Sequence, residues 1–261
     1  MRIGVLQAGL APEGLGPVYG EYDRIFSRLM RRADPAAEVV GWRVFDGELP
    51  PEPGAVDGWI ISGSKHGVYE DHAWIPPLKA FIRAAAKVRA PMIGVCFGHQ
   101  IMAEALGGAA VKSEKGWGLG PQAYDIVAKP GWMSGAPEQV TLIAVHQDQV
   151  TALPPDATRV ACSAFCENAA LVYGDPERPY AISIQPHPEF TADFARDLIR
   201  TRRGVSFSEA QSEAALARLS EDAPPRLDGD WAAGWFRDFL NLSAGAADEK
   251  GNLRSNAHGD A

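Results

Sequence analysis

The sequence of 261 residues predicts an α/β fold with a doubly wound, open and mostly parallel sheet flanked by helices. Three observations carry this prediction. Strand-like and helix-like segments alternate up to Gly108, short strand-like runs between turn residues follow it, and Cys96 stands where a buried strand turns directly into a helix. The alternation is typical of parallel strands joined by helices, and the later short runs indicate added antiparallel strands.

The first half of the chain supplies the predicted parallel strands. Apolar runs bounded by Gly- and Pro-rich loops indicate strands, and Pro76 and Pro77 open a helix whose apolar residues recur at helical spacing. The segments are strands at 2–8, 38–45, 56–61 and 91–95, and helices at 22–32, from 76, and at 101–106. Their order is βαββαβ followed by the helix after Cys96.

The second half adds short strands and then helices. Strands are expected at 109–111, 124–127, 140–145, 159–162, 170–173 and 180–185, and helices at 191–203 and 208–219. A further helix carries Trp231, Trp235, Phe236 and Phe239 at three- and four-residue spacing, which indicates core packing. We expect one domain over residues 1–243 and a disordered tail over 244–261, because that tail has little to bury.

Composition excludes several classes of partner. The formal charge is −8 with a pI near 5.3 and the basic residues are scattered, so nucleic acid is not expected as a partner. Apolar runs too short for a signal segment or a membrane span predict a cytoplasmic protein with no membrane contact. The cysteines show no disulfide framework, and Cys162 and Cys166 lack a second metal-ligand pair, so we read these two as core or loop thiols and predict no metal.

Cys96 lies in the stretch Gly94-Val95-Cys96-Phe97-Gly98, which has the Gly-x-nucleophile-x-Gly pattern of a nucleophile elbow. Small residues on each side allow the sharp turn that exposes the central side chain. A sulfur at a helix N-terminus lies near unpaired amide groups, and these favour the reactive thiolate. The alternative is an ordinary core cysteine, which the flanking glycines disfavour.

His187 and Glu189 are the candidate partners of the cysteine. They follow a strand-like run, and in extended chain residues i and i+2 point the same way, so Glu189 can orient His187. Flanking prolines restrict the backbone of His187. The alternative is a turn histidine that only stabilises a loop.

Two backbone amides are candidate donors for an oxyanion hole. Gly63 lies in a turn after a buried strand, and Phe97 follows the candidate nucleophile. Both would lie at carboxyl ends of parallel strands, where open α/β sheets bind ligands. The alternative for Ser62-Gly63-Ser64 is a simple turn.

The remaining histidines carry weaker expectations. His99 is expected to be exposed or to cap its helix, His66 and His72 to face solvent in a polar loop, and His258 to lie in the tail. His146 ends an apolar run and can line a pocket or occupy a turn.

Through these stretches the chain resembles the class I, triad-type glutamine amidotransferases over roughly residues 40–195. The elbow through Gln100, the segment Lys115-Gly116-Trp117-Gly118 and Gln185-Pro186-His187-Pro188-Glu189 carry the resemblance. It implies a flavodoxin-like fold, Cys96 as nucleophile, His187 as acid/base, Glu189 as its orienter and Gly63 and Phe97 as oxyanion donors. It also implies a substrate pocket lined by Gln100, Gly116, Trp117, His146, Gln147 and Asp148, and no metal or organic cofactor.

The resemblance is closer to stand-alone members, such as GMP-synthase-glutaminase-like proteins and γ-glutamyl peptidases, than to synthetase-linked domains. It rests on Ile61-Ser62-Gly63-Ser64 and Asp71-His72-Ala73-Trp74-Ile75. Two departures concern the substrate. Ser62-Gly63-Ser64-Lys65 replaces the Gly-Gly-Pro turn frequent at the oxyanion loop, and Pro186 replaces the aromatic residue that often precedes the catalytic histidine.

The implied reaction is hydrolysis of a γ-glutamyl amide through a glutamyl-thioester on Cys96. One alternative is a glutaminase subunit that delivers ammonia to a separate synthetase. Neither of two nucleotide-binding motifs, Gly-x-x-x-x-Gly-Lys-[Ser/Thr] and a Gly-x-Gly-x-x-Gly that opens a helix after a strand, is found in this sequence. Another is a catalytically idle paralogue that binds a γ-glutamyl metabolite or a partner protein. A third, a cysteine-elbow protein of the PfpI type, is disfavoured by His187-Pro188-Glu189 and Gly98-His99-Gln100.

Overall fold

The computed structural model describes the backbone of residues 1–133 and 135–256 and the side chains of residues 1–133 and 135–243. The strands are β1 (Arg2–Leu6), β2 (Glu38–Trp42), β3 (Gly58–Ile61), β4 (Met92–Val95), β5 (Ala109–Lys112), β6 (Gly118–Ile126), β7 (Gln139–His146), β8 (Asp148–Ala152), β9 (Ala157–Cys162), β10 (Ala170–Tyr173) and β11 (Ala181–Ile184). The helices are α1 (Gly16–Tyr19), α2 (Tyr22–Ala33), α3 (Ile75–Val88), α4 (Phe97–Ala105), α5 (Ala192–Arg202), α6 (Glu209–Ala217) and α7 (Gly229–Asn256). Short 3-10 turns lie at Val44–Asp46 and Gly131–Met133.

In the described residues the main sheet has nine strands in the order β2-β1-β3-β4-β11-β10-β9-β6-β7. The five strands from β2 to β11 run parallel, and β10, β9, β6 and β7 extend the sheet antiparallel. A separate antiparallel pair joins β5 and β8. The predicted fold class, a mostly parallel sheet with added antiparallel strands and flanking helices, is confirmed.

Two register relationships bring the ends of β3, β4 and β11 together. Ile184 pairs with Val95 at the carboxyl ends of β11 and β4, and Ile61 pairs with Gly94 at the end of β3. The chain segments that leave these strands carry His187, Cys96 and Gly63. The parallel half of the sheet therefore delivers all three to one edge, where open α/β sheets bind ligands.

The structure differs from the predicted elements in several places, including the short helix α1, which lies in a segment expected to be a loop. Helix α4 begins at Phe97 rather than Ile101, so Cys96 lies directly at its start. Strand β6 begins at Gly118 rather than Tyr124, although it contains Pro121. Among the described residues, β7 is the only strand that pairs with residues 118–124 of β6, and a strand edge tolerates a proline. Strand β8 was not predicted, because its start is polar and it reads as a turn.

Apolar side chains pack on both faces of the sheet. One face buries residues of α2, α5 and α7, including Phe26, Phe194 and Phe236. The other buries residues of α3 and α4, including Leu78 and Ile101. The predicted aromatic stripe of α7 is core: Trp235, Phe236 and Phe239 are buried, with Trp231 packed beside them.

The backbone of α7 continues to Asn256, beyond the predicted end of the domain at residue 243. Residues 244–250 include several alanines, Glu249 and Lys250, which favour helix. The predicted tail begins inside this helix, and its last part, residues 257–261 with His258, lies outside the described residues, so the boundary at 243 stays a prediction. Within the described residues, none of the helices combines the length and apolar character that crossing a bilayer requires.

Candidate active site

Cys96 occupies a strained turn between β4 and α4. Its φ of 54° and ψ of −105° lie in a region that side chains with a Cβ rarely adopt. The Cys96 N–H donates to the carbonyl of Ile184 at 2.9 Å, and its carbonyl accepts from the Gln100 N–H at 3.1 Å. Such a conformation costs on the order of 1–3 kcal/mol, so these contacts with β11 and α4 are needed to hold it. The backbone forms the elbow that the glycine pattern predicts.

The two glycines of the elbow permit close packing of backbone. A Cβ on Gly98 would lie 2.1 Å from the carbonyl oxygen of Ile61, and a Cβ on Gly94 would lie 2.6 Å from that of Gly98. Neither approach leaves room for a side chain. The start of α4 can therefore press against the end of β3, which brings the loop with Gly63 next to Cys96.

His187 lies just beyond β11 and is fixed on several sides. Its N–H donates to the carbonyl of Ile143 at 2.8 Å, and its Nδ1 lies 2.7 Å from Oε1 of Glu189. Both side chains are almost fully buried, at 4% and 6% residue exposure. The imidazole also stacks on Phe190, with 4.1 Å between ring centroids. The i, i+2 arrangement expected for His187 and Glu189 is present.

The environment of His187 favours its charged form. Burial by itself acts to lower the pKa, but the charge of the Glu189 carboxylate and, after it, the neighbouring Cys96 side chain raise the pKa of His187 to about 10. Within the described residues the second carboxylate oxygen of Glu189 is buried without a hydrogen-bond partner, so this carboxylate serves His187 alone. A charged imidazole that is paired with a buried carboxylate and lies beside a cysteine side chain is the arrangement of a cysteine nucleophile with its base.

Gly63 lies against both members of this pair. A Cβ built on it would be 3.0 Å from Cε1 of His187 and 3.7 Å from Cβ of Cys96. The preceding Ser62 is fully buried and ties the turn to β1, since its hydroxyl accepts from the Ala8 N–H and donates to the Gly63 carbonyl, both at 2.9 Å. Phe97 is the first residue of α4, where backbone N–H groups lack helical partners. Both predicted oxyanion donors therefore flank the Cys96 side chain.

The predicted pocket residues fall into two groups. Gln100 and His146 are buried and converge on the Asp148 carbonyl, at 3.0 Å from Gln100 Nε2 and 3.1 Å from His146 Nδ1. Gln147 and the Asp148 side chain are partly exposed at the joint between β7 and β8. Burial raises the pKa of Asp148, while Tyr69, from the loop after β3, acts to lower it.

Gly116 and Trp117 stand in the turn before β6, both partly exposed. Trp117 packs edge-on against Phe207, at 4.9 Å between ring centroids. Because Gly118 pairs with His146 across β6 and β7, this turn neighbours the His146-Gln147-Asp148 segment. The structure thus brings the predicted pocket residues to one side of the elbow, while their roles in binding stay predictions.

The expectation for His99 was wrong. His99 is fully buried rather than exposed, and its Nδ1 lies 2.7 Å from the hydroxyl of Ser183 on β11. Burial, reinforced by His146, lowers its pKa to about 3, so the ring is neutral; burial likewise lowers the pKa of His146 to about 4. His66 and His72 are partly exposed to solvent, and both also bind the carboxylate of Glu70.

Cys162 and Cys166 match the prediction of loop or core thiols. Cys166 is fully buried, and burial raises the pKa of its thiol to about 12. Cys162 is partly exposed at the end of β9.

Sequence reasoning missed two aromatic residues near the elbow. Phe190 supports the ring of His187, and Tyr22, on the first turn of α2, places its hydroxyl 3.7 Å from a Cβ built on Gly63. Burial first, then the charges of Glu189 and Cys96, raise the pKa of Tyr22 well above its usual range. The signal available for Tyr22 was its place after the loop that leaves β1, at the ligand-binding edge of the sheet.

Comparisons with known proteins agree with this geometry. The family model "Glutamine amidotransferase class-I" matches residues 20–200. γ-Glutamyl peptidase 4 of Arabidopsis thaliana is 31% identical over 80% of this chain and 84% of its own length. A glutamine-hydrolysing GMP synthase subunit of Archaeoglobus fulgidus is 30% identical over 70% of this chain and 91% of its own. A crystal structure of a glutamine amidotransferase from Thermotoga maritima shares the fold, with a TM-score of 0.71, 19% identity and coverage of 93% of this chain and 98% of its own.

Proposed function

Because this chain belongs to the class-I glutamine amidotransferase family, whose members include hydrolytic enzymes, we propose that it hydrolyses the γ-amide bond of a γ-glutamyl compound. The observation that carries the proposal is the arrangement of Cys96 beside His187, with Glu189 at 2.7 Å on the far side of the imidazole. In this order the base can activate the nucleophile, and the carboxylate orients the base.

The first half of the reaction forms a thioester. The Cys96 thiolate attacks the γ-carbonyl carbon of the substrate, and the carbonyl oxygen takes up the negative charge of the tetrahedral intermediate. His187, held as an imidazolium with a pKa of about 10, gives a proton to the leaving amine as the C–N bond breaks. The glutamyl group is then bonded to the Cys96 sulfur.

The second half releases glutamate. His187, now neutral, takes a proton from a water molecule that attacks the thioester carbonyl, and it returns that proton to the Cys96 sulfur as the C–S bond breaks. Glu189 stabilises the imidazolium formed in this step and fixes the ring through Nδ1. In both halves the N–H groups of Gly63 and Phe97 are the proposed donors to the developing oxyanion.

Two features favour a stand-alone hydrolase over a component of a synthetase. The relative named γ-glutamyl peptidase 4 is similar over 80% of this chain. The turn Ser62-Gly63-Ser64-Lys65 also departs from the Gly-Gly-Pro turn of synthetase-type members. A peptidase of this kind must accept a substituent on the γ-nitrogen of its substrate.

The second candidate is a glutaminase that supplies ammonia to a separate synthetase. The observation in its favour is that the Archaeoglobus fulgidus relative, which is named as one subunit of a GMP synthase, is 30% identical and matched over 91% of its length.

The test is to incubate the purified chain with glutamine and with a panel of γ-glutamyl amides and dipeptides, and to measure released glutamate. The proposal predicts turnover of γ-glutamyl peptides by the chain alone and none by Cys96→Ala. Turnover of glutamine only after a separate GMP synthetase protein is added would favour the second candidate. Binding of γ-glutamyl compounds without turnover in any arm would favour a catalytically idle paralogue.

A further inference from the structure

The loop between β3 and α3 gathers two imidazoles around one carboxylate. Nδ1 of His66 lies 2.9 Å from Oε2 of Glu70, and Nε2 of His72 lies 2.8 Å from the same oxygen. The centroids of the two imidazole rings are 4.0 Å apart. Each of the three residues offers one possible metal-ligand atom, and these three atoms lie within 4.8 Å of one another. This cluster is outside the triad and has no part in the proposed reaction.

The donor set suits a metal ion of the zinc class. Two imidazole nitrogens and one carboxylate oxygen are the ligands that such ions take in proteins, at about 2.0–2.2 Å from the ion. In a tetrahedral site these distances place ligand atoms about 3.4 Å apart. The two nitrogen–oxygen distances of 2.8 and 2.9 Å would therefore open by only about half an ångström to admit an ion.

The loop already holds its carboxylate in place. The second oxygen of Glu70 accepts the Gly67 N–H at 2.8 Å, and the Glu70 N–H donates to the Gly67 carbonyl at 3.1 Å. The His72 N–H donates to the Glu70 carbonyl at 3.0 Å, and the His72 ring stacks on Trp74 with 17° between the ring planes. Such supporting contacts orient ligands before an ion arrives, as outer-sphere partners do in metal sites.

The cluster is accessible from solvent. The side chains of His66, Glu70 and His72 are 25%, 40% and 34% exposed. An ion can therefore enter without opening the fold, and water can complete its coordination.

We propose that His66, Glu70 and His72 bind a divalent transition-metal ion such as Zn²⁺ on the loop that also carries Gly63. No metal is expected from the sequence, because its cysteines lack a second ligand pair and the family resemblance implies no metal. The three ligands come from seven consecutive residues, so the ion would cross-link the two ends of this short loop segment. This inference does not depend on the proposed function, since its test measures binding and not turnover.

The proposed metal site lies next to both proposed oxyanion donors. Gly63 precedes His66 by three residues, and Trp74, stacked on His72, also packs against Phe97 at 5.4 Å between ring centroids. The ion would therefore have a structural role, because it would restrain the segment from Gly63 to Trp74 without contacting the reacting atoms.

The probe is Co²⁺, whose visible ligand-field absorption reports imidazole and carboxylate coordination. It is titrated into the full-length chain carrying Cys96→Ala, so that the thiolate cannot act as a ligand. We expect saturable absorption at one ion per chain, displaced by Zn²⁺. Absence of saturable absorption would overturn the proposal.

Two variants separate a metal site from a hydrogen-bonded cluster. His66→Asn and His72→Gln keep an amide N–H near the Nδ1 and Nε2 positions, and so can still donate to Glu70, but they remove an imidazole ligand. Each should weaken Co²⁺ binding at least about tenfold. Asp71→Asn, in the same loop but outside the cluster, should bind as the parent does. Unchanged affinity in both histidine variants would show that Co²⁺ binds elsewhere and would overturn the assignment.

A second readout covers the case in which a variant does not fold. Zn²⁺ added to the otherwise unaltered Cys96→Ala chain should shift the ring NMR signals of His66 and His72 and leave those of His99 and His146 in place. Shifts confined to other histidines would contradict the proposal.

Discussion

The imidazole of His187 lies parallel to the ring of Phe190, with 4° between the ring planes and 4.1 Å between their centroids. One face of the imidazole is therefore covered by an aromatic ring, while its Nδ1 binds Glu189. A charged imidazolium is attracted to the face of an aromatic ring. Phe190 is itself held from behind by Phe194, at 4.2 Å between ring centroids. It thus acts as a positioning residue for His187.

Replacing this ring tests its role. Phe190→Leu should lower kcat roughly tenfold with KM within about twofold, because the imidazole loses the surface that fixes its plane. Steady-state kinetics on a γ-glutamyl substrate measures both constants. The matched control is Phe194→Leu, which removes a ring from the same stack without touching His187 and should change stability more than kcat. Equal losses of kcat in the two variants would show that Phe190 contributes only to core packing and does not position His187.

Glu189→Gln separates orientation from proton transfer. The amide keeps the shape and a contact with Nδ1 but removes the charge that raises the pKa of His187. Because burial acts in the opposite direction, we expect the His187 pKa to fall below its wild-type value of about 10. Histidine ring NMR across a pH series measures it.

The same variant has a kinetic expectation. Turnover should fall, but roughly 10- to 100-fold less than in Cys96→Ala, with folding and KM nearly unchanged. Loss of activity as complete as in Cys96→Ala would mean that Glu189 does more than orient His187.

Gly63→Ala tests the contact between the loop after β3 and the histidine. The added Cβ would lie 3.0 Å from Cε1 of His187, which is closer than two carbons pack, so the imidazole must move. We expect kcat to fall at least about tenfold. Gly9→Ala is the control, because its Cβ would meet only Ser64 at ordinary contact distance, 3.5 Å. Full activity of Gly63→Ala would contradict the arrangement in which Gly63 and His187 act together.

The buried neutral histidines make stability depend on pH. His99 and His146 have pKa values lowered to about 3 and 4, so between pH 6.5 and these values the unfolded chain binds protons that the folded chain does not. The free energy of unfolding should therefore fall as pH falls, by about 2 kcal/mol for each histidine between pH 7 and pH 5. His187 opposes this trend only weakly, because its raised pKa makes its stabilising contribution nearly complete below pH 6.5.

His99→Asn isolates one of these contributions. Asparagine can keep the bond from the Nδ1 position to Ser183 but does not titrate. Urea unfolding at pH 7 and pH 5 should give a pH-dependent loss about 2 kcal/mol smaller than that of the parent, whatever the variant's absolute stability. An identical loss in both proteins would show that His99 is not kept neutral by burial.

The parallel half of the fold was predictable because its signals are local. Apolar runs followed by Gly- or Pro-containing loops located β1 to β4, and the glycines around Cys96 indicated the elbow. Their physical basis is now visible: a Cβ on Gly98 would collide with the carbonyl of Ile61, a contact from another strand. The glycines of this short motif are thus required by a contact with a strand that is distant in sequence.

Two of the errors, at His99 and at β8, share one cause, which is that the burial of polar residues depends on tertiary packing. His99 looked exposed at the start of a helix, yet α4 packs against β3, β4, β8 and β11 and leaves that position no access to solvent. Strand β8 begins with Asp148 and Gln149 and has no apolar alternation, but it pairs with β5 once the chain is folded. The meeting of His66 and His72 at Glu70 likewise needs the turn geometry of the loop.

The central claim is that Cys96 carries the glutamyl group during turnover. The direct measurement is peptide mass spectrometry of the enzyme quenched in acid while it turns over a γ-glutamyl anilide, which has a good leaving group and should allow the thioester to accumulate. The account predicts a mass increase of one glutamyl group on the peptide that contains Cys96, and none on the peptides with Cys162 or Cys166. A glutamyl group on either of those cysteines, or turnover that persists in Cys96→Ala, would contradict it.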